Sequence, residues 1–144
     1  TGVVLGNHGD AMVPMVRTAA VGTTPLIDLL PMDKINAIVA RTKQAGAEIG
    51  GHLKTGSAYY APSRGAVEMA EAILKDQKRI LPVAVELTGE FGVKDGLMVG
   101  VLAKLGGSGM EGIVDFKFNA DEKVEFEKSV EAVRTLVSAL KTVQ

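Results

Sequence analysis

The sequence predicts an α+β domain in which long helices pack on a mainly antiparallel sheet. Stretches that alternate apolar and polar residues follow one another with only short turns between them, which is typical of antiparallel strands. Stretches with apolar residues three and four positions apart, which are typical of helices, are set apart from them. No internal repeat or low-complexity linker divides the 144 residues. A single domain is therefore expected.

The first part of the chain is predicted to contain two extended segments joined by a loop. Residues 1–5 and 12–20 are largely apolar and rich in β-branched side chains, a composition that favours strands. Between them, His8 stands among glycines and close to Asp10. Residues 22–25, Gly-Thr-Thr-Pro, indicate a turn.

Two helices are predicted in the middle of the chain. The first covers residues 33–54, with Asp33 suited to cap its amino terminus. The second covers about residues 58–76, with Pro62 in the first turn, where a missing amide hydrogen is tolerated. The periodicity predicts two buried stripes, made of Ile35, Ile38, Thr42, Ala45, Ile49 and Leu53 in the first helix and Ala66, Met69, Ala70, Ile73 and Leu74 in the second.

Three strands are predicted in the last third of the chain. Residues 80–87, 97–105 and 114–118 alternate apolar and polar side chains, as strands with one buried face do. Pro82 cannot donate a hydrogen bond to a neighbouring strand, so its strand is expected at an edge or with its partner on the other side. Residues 106–109 are rich in glycine, but a phosphate-binding loop needs a helix after it, and here a strand follows. They are therefore predicted to form a hairpin turn.

A final amphipathic helix is predicted over residues 120–143. Asn119 and Glu122 have the spacing of a capping box, in which each side chain bonds the backbone of the other residue. Apolar residues then recur at spacings of three and four, and lysines and glutamates occupy the remaining positions. This pattern predicts one buried face and one solvated face.

Composition excludes several classes of function. With sixteen basic and seventeen acidic residues, and no basic cluster interleaved with aromatic residues, the chain is not expected to bind nucleic acid. It has no cysteine and two histidines, His8 and His52, so neither a disulfide framework nor a metal site is predicted. No apolar run approaches the roughly 20 residues that span a bilayer. A cytoplasmic location without membrane contact is expected.

Two features predict that more of the protein accompanies this segment. The chain starts at Thr1, without a methionine, and enters an apolar, strand-like run almost at once. Its hydrophobic content of 47% and mean hydropathy of +0.21 are high for a domain that buries only its own core. We interpret the excess as surface that faces another domain or subunit.

His8 is the first candidate for chemistry. Imidazole has an unperturbed pKa of about 6.5, so it can both give and take a proton near neutral pH. Gly6 and Gly9 allow the backbone to turn sharply and a ligand to approach closely. The alternative is an exposed turn histidine without a chemical role, and the segments that follow bear on this choice.

Three segments resemble the lactate/malate dehydrogenase family. Residues 6–14, Gly-Asn-His-Gly-Asp-Ala-Met-Val-Pro, are similar to its active-site segment. Residues 53–63 resemble the helix entry that borders the substrate pocket in the malate branch, and residues 75–82 resemble the helix-to-strand passage that follows. The resemblance covers residues 1–144 as the carboxy-terminal substrate-binding and catalytic domain. The amino-terminal NAD-binding Rossmann half, with its Gly-x-Gly-x-x-Gly turn, has no counterpart here.

The resemblance implies an NAD-dependent malate dehydrogenase that interconverts (S)-malate and oxaloacetate by hydride transfer. His8 matches the family's general acid/base, and Ala58 is a small residue of the pocket wall that leaves room for the second carboxylate of malate. The main NAD site, the aspartate that orients the histidine and the arginines that bind the substrate are implied to lie in the absent half. No metal is implied. Asn7 departs from the glycine or acidic residue common at its position, and Asp10 is not the orienting aspartate.

Two alternatives stay open. Some L-lactate dehydrogenases that arose within the malate-like branch share residues 56–59, and the selectivity loop that would separate the two substrates is also in the absent half. The domain alone could instead act as an assembly or dimerisation module without turnover. The expected partners are malate or oxaloacetate, the protein's own amino-terminal half, and further copies in a homodimer or homotetramer.

Overall fold

The chain is built around a five-stranded antiparallel sheet. The computed structural model describes residues 1–141. Two short 3-10 helices, Val16–Thr18 and Glu90–Gly92, lie in the loops of the chain. In chain order, the strands and helices of the described residues are β1 Val4–Gly6, β2 Met12–Pro14, β3 Ala20–Val21, β4 Thr24–Pro25, α1 Leu26–Leu29, α2 Met32–Leu53, α3 Tyr60–Leu74, β5 Arg79–Leu87, β6 Leu97–Gly106, β7 Gly109–Ile113 and α4 Ala120–Lys141.

β6 is the central strand of this sheet. β5 pairs with it along its whole length, from Arg79 opposite Leu105 to Leu87 opposite Leu97. On the other side of β6, β1 pairs at Gly100 and β7 pairs near the end of the strand, while β2 pairs with β1. All of these pairings are antiparallel, and β5 lies at an edge. The predicted α+β class and the predicted edge position of the strand that contains proline are confirmed.

One face of the sheet forms the core, and α4 packs on it. Alternate residues of β5 and β6 are buried on this face, whereas Ile80 and Met98 on the opposite face are exposed. A one-residue slip would exchange the two faces, and each buried aliphatic side chain contributes about 1.5–3 kcal/mol. Burial therefore fixes the register. The core consists of Leu5, Val13, Met15, Val85, Leu87, Val93, Leu97, Val99, Val101, Ala103, Phe126 and Val130.

The predicted capping box starts α4. The Asn119 side-chain oxygen accepts from the Glu122 amide at 2.8 Å, and a Glu122 carboxylate oxygen accepts from the Asn119 amide at 2.9 Å. The Arg17 guanidinium also donates to both oxygens of Glu122 at 2.9 Å and holds the pKa of that carboxyl below its ordinary value. The start of α4 is thereby tied to the segment after β2. The last two residues of the predicted helix, 142 and 143, lie outside the described residues.

The predicted strand over residues 114–118 is wrong. The Val114 amide still donates to the Leu102 carbonyl at 2.8 Å, beside the end of β7, but the next residues leave the sheet. Phe118 stacks on Phe126 of α4 with ring centroids 4.8 Å apart. The alternation of this segment therefore reflects aromatic packing rather than pairing with a strand.

The predicted strand over residues 12–20 is too long. Its first part is β2, which ends at Pro14. The Thr18 amide and hydroxyl then both donate to the Met15 carbonyl, at 3.3 Å and 3.2 Å, and close a 3-10 turn. Ala20, the last residue of the predicted strand, belongs to β3, which forms a short hairpin with β4. This hairpin confirms the predicted turn at residues 22–25.

α2 and α3 exist as predicted, but the predicted burial is wrong. α2 begins at Met32, so Asp33 lies in its first turn and is not the cap. In α2, the stripe residue Ile35 is buried as predicted. In α3, the buried residue is Ala72, which does not belong to the predicted stripe. Periodicity identifies the apolar face of a helix but not what covers that face. The exposed large side chains of the predicted stripes are Ile38, Ile49 and Leu53 in α2 and Met69 and Leu74 in α3.

Candidate functional site

His8 lies on the loop that joins β1 to β2. Gly6 at the end of β1 and Met12 at the start of β2 are paired in the ladder, and the Met12 amide donates to the Gly9 carbonyl at 3.0 Å. Gly6 and Gly9 have φ angles of +82° and +117°, which glycine adopts without strain. The glycines therefore close a tight loop that presents an exposed His8 at the side of the sheet.

Ser129 of α4 fixes the start of this loop. Its Oγ accepts a hydrogen bond from the Asn7 amide at 2.6 Å, and the residue is completely buried. A Cβ atom on Gly6 would lie 2.2 Å from the same Oγ, so this contact requires glycine there. Ser129 is absent from the predicted site residues. The signal for it is a hydroxyl on the buried stripe of a helix, next to Val130, where a polar group needs a partner.

Gly100 lets the loop approach the central strand. It faces Gly6 where β1 pairs with β6. A Cβ atom on Gly100 would lie 2.6 Å from the Gly6 carbonyl oxygen, where ordinary contacts start at 3.4 Å. Any larger residue would push β1 away from the sheet, and the loop with His8 would move with it.

The far end of the loop contacts α2. The side-chain nitrogen of Gln44 donates to an oxygen of Asp10 at 3.0 Å, and both side chains are exposed. The carboxylate of Asp10 is thus bonded to Gln44 and not to the imidazole of His8. Because α2, α4 and β6 all contact this one loop, three elements distant in sequence together determine where the histidine lies.

His8 borders a shallow cavity of about 420 Å³ on the open face of the sheet. The floor is formed by Pro82 and Ala84 of β5 and by Met98 and Gly100 of β6. The side chains around the cavity are apolar except for those of Asn7 and His8. The cavity therefore presents one proton-transfer group beside an apolar surface.

Ala58, the second predicted site residue, lies between α2 and α3. It is half-buried and is not among the residues that line the His8 cavity. The described part of the chain therefore does not bring the two residues together in that cavity. The role of Ala58 as a pocket wall stays a prediction.

The glycine-rich residues 106–109 form a hairpin turn, as predicted. They join β6 to β7, and the Gly107 amide donates to Asp76 at 2.5 Å. A strand follows the turn, so it offers no helix amino terminus to a phosphate. Across residues 1–141, no three histidine, aspartate or glutamate side chains lie close enough to share a metal ion, and no helix is long and apolar enough to cross a membrane.

Comparison with known proteins agrees with this architecture. The chain is 54% identical to the malate dehydrogenase of Cereibacter sphaeroides over an alignment of 146 positions, which covers 98% of this chain and 45% of that protein. The structure of malate dehydrogenase from Salinibacter ruber matches with a TM-score of 0.95 at 43% identity, over 99% of this chain and 46% of that one. Lactate dehydrogenase from Eimeria maxima with NADH and oxamate matches with a TM-score of 0.94 at 36% identity, over 99% and 46%.

The relatives that match are longer than this chain. It spans less than half the length of these relatives. The family model described as lactate/malate dehydrogenase, alpha/beta C-terminal domain, matches residues 2–143. The chain belongs to the lactate/malate dehydrogenase family, and its match is to the C-terminal domain of that family.

Proposed function

We propose that this chain is the catalytic half of an NAD-dependent malate dehydrogenase, which interconverts (S)-malate and oxaloacetate by hydride transfer. The observation on which this rests is the exposed His8 on a loop that Ser129 and Gly100 hold in place. The malate dehydrogenase relative at 54% identity supports the substrate. The structural match solved with NADH and oxamate supports the cofactor.

His8 is the general acid/base in this proposal. During malate oxidation, the neutral imidazole accepts the proton of the substrate hydroxyl. In the reverse direction, the imidazolium donates a hydrogen bond to the ketone oxygen of oxaloacetate and then gives up its proton. Its positive charge also attracts the substrate carboxylates. A loop of fixed geometry favours both steps because the proton donor and acceptor must come within hydrogen-bond distance.

NAD supplies the hydride acceptor or donor when it is bound, and we propose that an amino-terminal half holds most of it. The glycine-rich turn at residues 106–109 leads into a strand, so this turn does not fit the dinucleotide phosphates. What the chain contributes is the proton-transfer group. The substrate-binding arginines and the aspartate that orients His8 belong to the same amino-terminal half in this proposal.

The pH dependence of both reaction directions, measured on the complete enzyme that contains this chain, tests the proposal. Oxaloacetate reduction needs the imidazolium, so its rate is expected to fall as the pH rises. Malate oxidation needs the neutral ring, so its rate is expected to fall as the pH drops. The assignment would be contradicted if both rates changed with pH in the same direction, or if the pH dependence of the rates persisted in His8→Asn.

L-lactate is the second candidate substrate. The match to the Eimeria maxima lactate dehydrogenase, at a TM-score of 0.94, favours it. Comparing kcat/KM for oxaloacetate and pyruvate decides between the two, and we expect oxaloacetate to be preferred because of the malate dehydrogenase relative. A preference for pyruvate would establish the lactate alternative.

A dimerisation role is the candidate from a different class. It is favoured by the exposed apolar side chains of α2 and α3, of which Leu74 is 85% exposed. We propose that these faces contact the amino-terminal half or another copy in a homodimer or homotetramer. Turnover by the complete enzyme, together with its loss in His8→Asn, separates a catalytic domain from a domain that only assembles.

A further inference from the structure

The buried hydroxyl of Ser129 accepts a hydrogen bond from the amide of Asn7, the residue before His8. No step of the proposed reaction uses this hydroxyl. We propose that Ser129 is a positioning residue, which sets the place of the His8 imidazole by holding the backbone at Asn7. This inference rests on the proposed acid/base role of His8. The inference adds to the site a residue that lies 122 positions from Asn7 in the sequence.

The burial of Ser129 points to a specific role. It is the one buried polar residue in the part of the chain that the structure describes. Burying a hydroxyl is unfavourable unless it is hydrogen-bonded. The helix itself does not require serine, because alanine has a higher helix propensity. Its Oγ accepts from the Asn7 amide at 2.6 Å. The hydroxyl therefore serves the loop rather than the helix.

The geometry around this hydrogen bond leaves the loop little freedom. Gly6 lies against the serine so closely that an added Cβ would approach its Oγ to 2.2 Å and its Cβ to 2.8 Å. Gly6 is also paired with Gly100 of β6. The backbone just before His8 thus contacts both α4 and the central strand.

Loss of the hydrogen bond would displace the histidine rather than change its chemistry. Without Ser129 Oγ, the partly buried Asn7 amide needs another acceptor, and the loop must shift to reach one. Proton transfer needs donor and acceptor about 2.6–3.2 Å apart, and a misplacement of about 1 Å costs on the order of 100-fold in rate. We therefore expect the main effect on kcat rather than on cofactor binding.

The first test compares Ser129→Ala with Thr135→Val in the complete enzyme. Thr135 is a matched control because it lies on the exposed side of the same helix, where its hydroxyl donates to the Glu131 carbonyl at 3.0 Å. We expect Ser129→Ala to lower kcat by roughly 10- to 100-fold with an unchanged Kd for NADH, and Thr135→Val to behave like the parent enzyme. A folded Ser129→Ala variant with parental kcat would overturn the inference.

The second test combines Ser129→Ala with His8→Asn. If the serine acts through the histidine, it has nothing left to position in the His8→Asn background, and the double variant should turn over as slowly as His8→Asn alone. A further loss by the same factor would show a general structural role and overturn the inference. If Ser129→Ala does not fold, Ser129→Cys takes its place, because the thiol has a similar shape but is a weak acceptor.

These outcomes separate the inference from the proposed function. Near-normal turnover in His8→Asn would refute the acid/base role, and the positioning role would fall with it. A large loss in His8→Asn together with parental kcat in a folded Ser129→Ala or Ser129→Cys variant would refute the positioning role alone.

Discussion

Gly100→Ala is expected to weaken both the fold and the activity, because it separates two strands next to the histidine loop. The new Cβ would lie 2.6 Å from the Gly6 carbonyl oxygen, about 0.8 Å short of an ordinary contact of 3.4 Å. The neighbouring atom belongs to the backbone, so β1 has to move as a whole. Overpacking of this kind costs about 1–3 kcal/mol. A shift approaching 1 Å at the loop is expected to lower kcat by roughly 10- to 100-fold.

Gly112→Ala is the matched control. Gly112 lies on β7 of the same sheet, and a Cβ added there would have no atom within 4 Å. This variant should be as stable as the parent or more stable by about 0.5–1 kcal/mol, since alanine is favoured over glycine inside a strand. Urea denaturation and steady-state kcat of the complete enzyme measure both effects. Equal stability and turnover in the two variants would refute the close-approach argument.

Three further predictions concern the start of α4, the Arg17–Glu122 pair and the isolated chain. Asn119→Ala should lower the free energy of unfolding by about 1 kcal/mol, because the capping box of α4 is lost; an unchanged urea midpoint would contradict this. The hydrogen bond from Arg17 lowers the pKa of Glu122 below its ordinary 4.5. Its contribution to stability is therefore present above that value and lost as the pH falls through the lower folded pKa, so Glu122→Gln should show a weaker loss of stability in acid than the parent. The isolated chain should self-associate and show no malate-dependent reduction of NAD. A monodisperse monomer in sedimentation would contradict the self-association, and measurable turnover by the isolated chain would contradict the expected lack of activity.

Local patterns predicted most of the fold because they report burial directly. β5 and β6 alternate since one face of each strand is buried, and α4 shows the capping box at its start. The same reasoning failed for residues 114–118, where Phe116 and Phe118 alternate because they pack with other aromatic rings and not because they pair in a ladder. Periodicity likewise identified the apolar side of α2 but not its exposure.

The candidate site was predicted only in part. His8 was identifiable because its glycine-flanked segment is contiguous in sequence. Ser129 and Gly100 were not, because their roles arise from contacts with Asn7 and Gly6, and the first of these spans 122 positions. A serine in a helix or a glycine in a strand becomes informative only when the packing of the two elements is known.

The turnover of His8→Asn in the complete enzyme tests the central assignment most directly. Asparagine keeps a hydrogen-bonding amide of similar reach but cannot accept a proton at neutral pH. We expect kcat to fall by roughly 10²- to 10⁴-fold, the usual contribution of a positioned acid/base, with NADH affinity unchanged. Near-normal kcat in a folded His8→Asn enzyme would show that the proton travels through another group and would contradict the account.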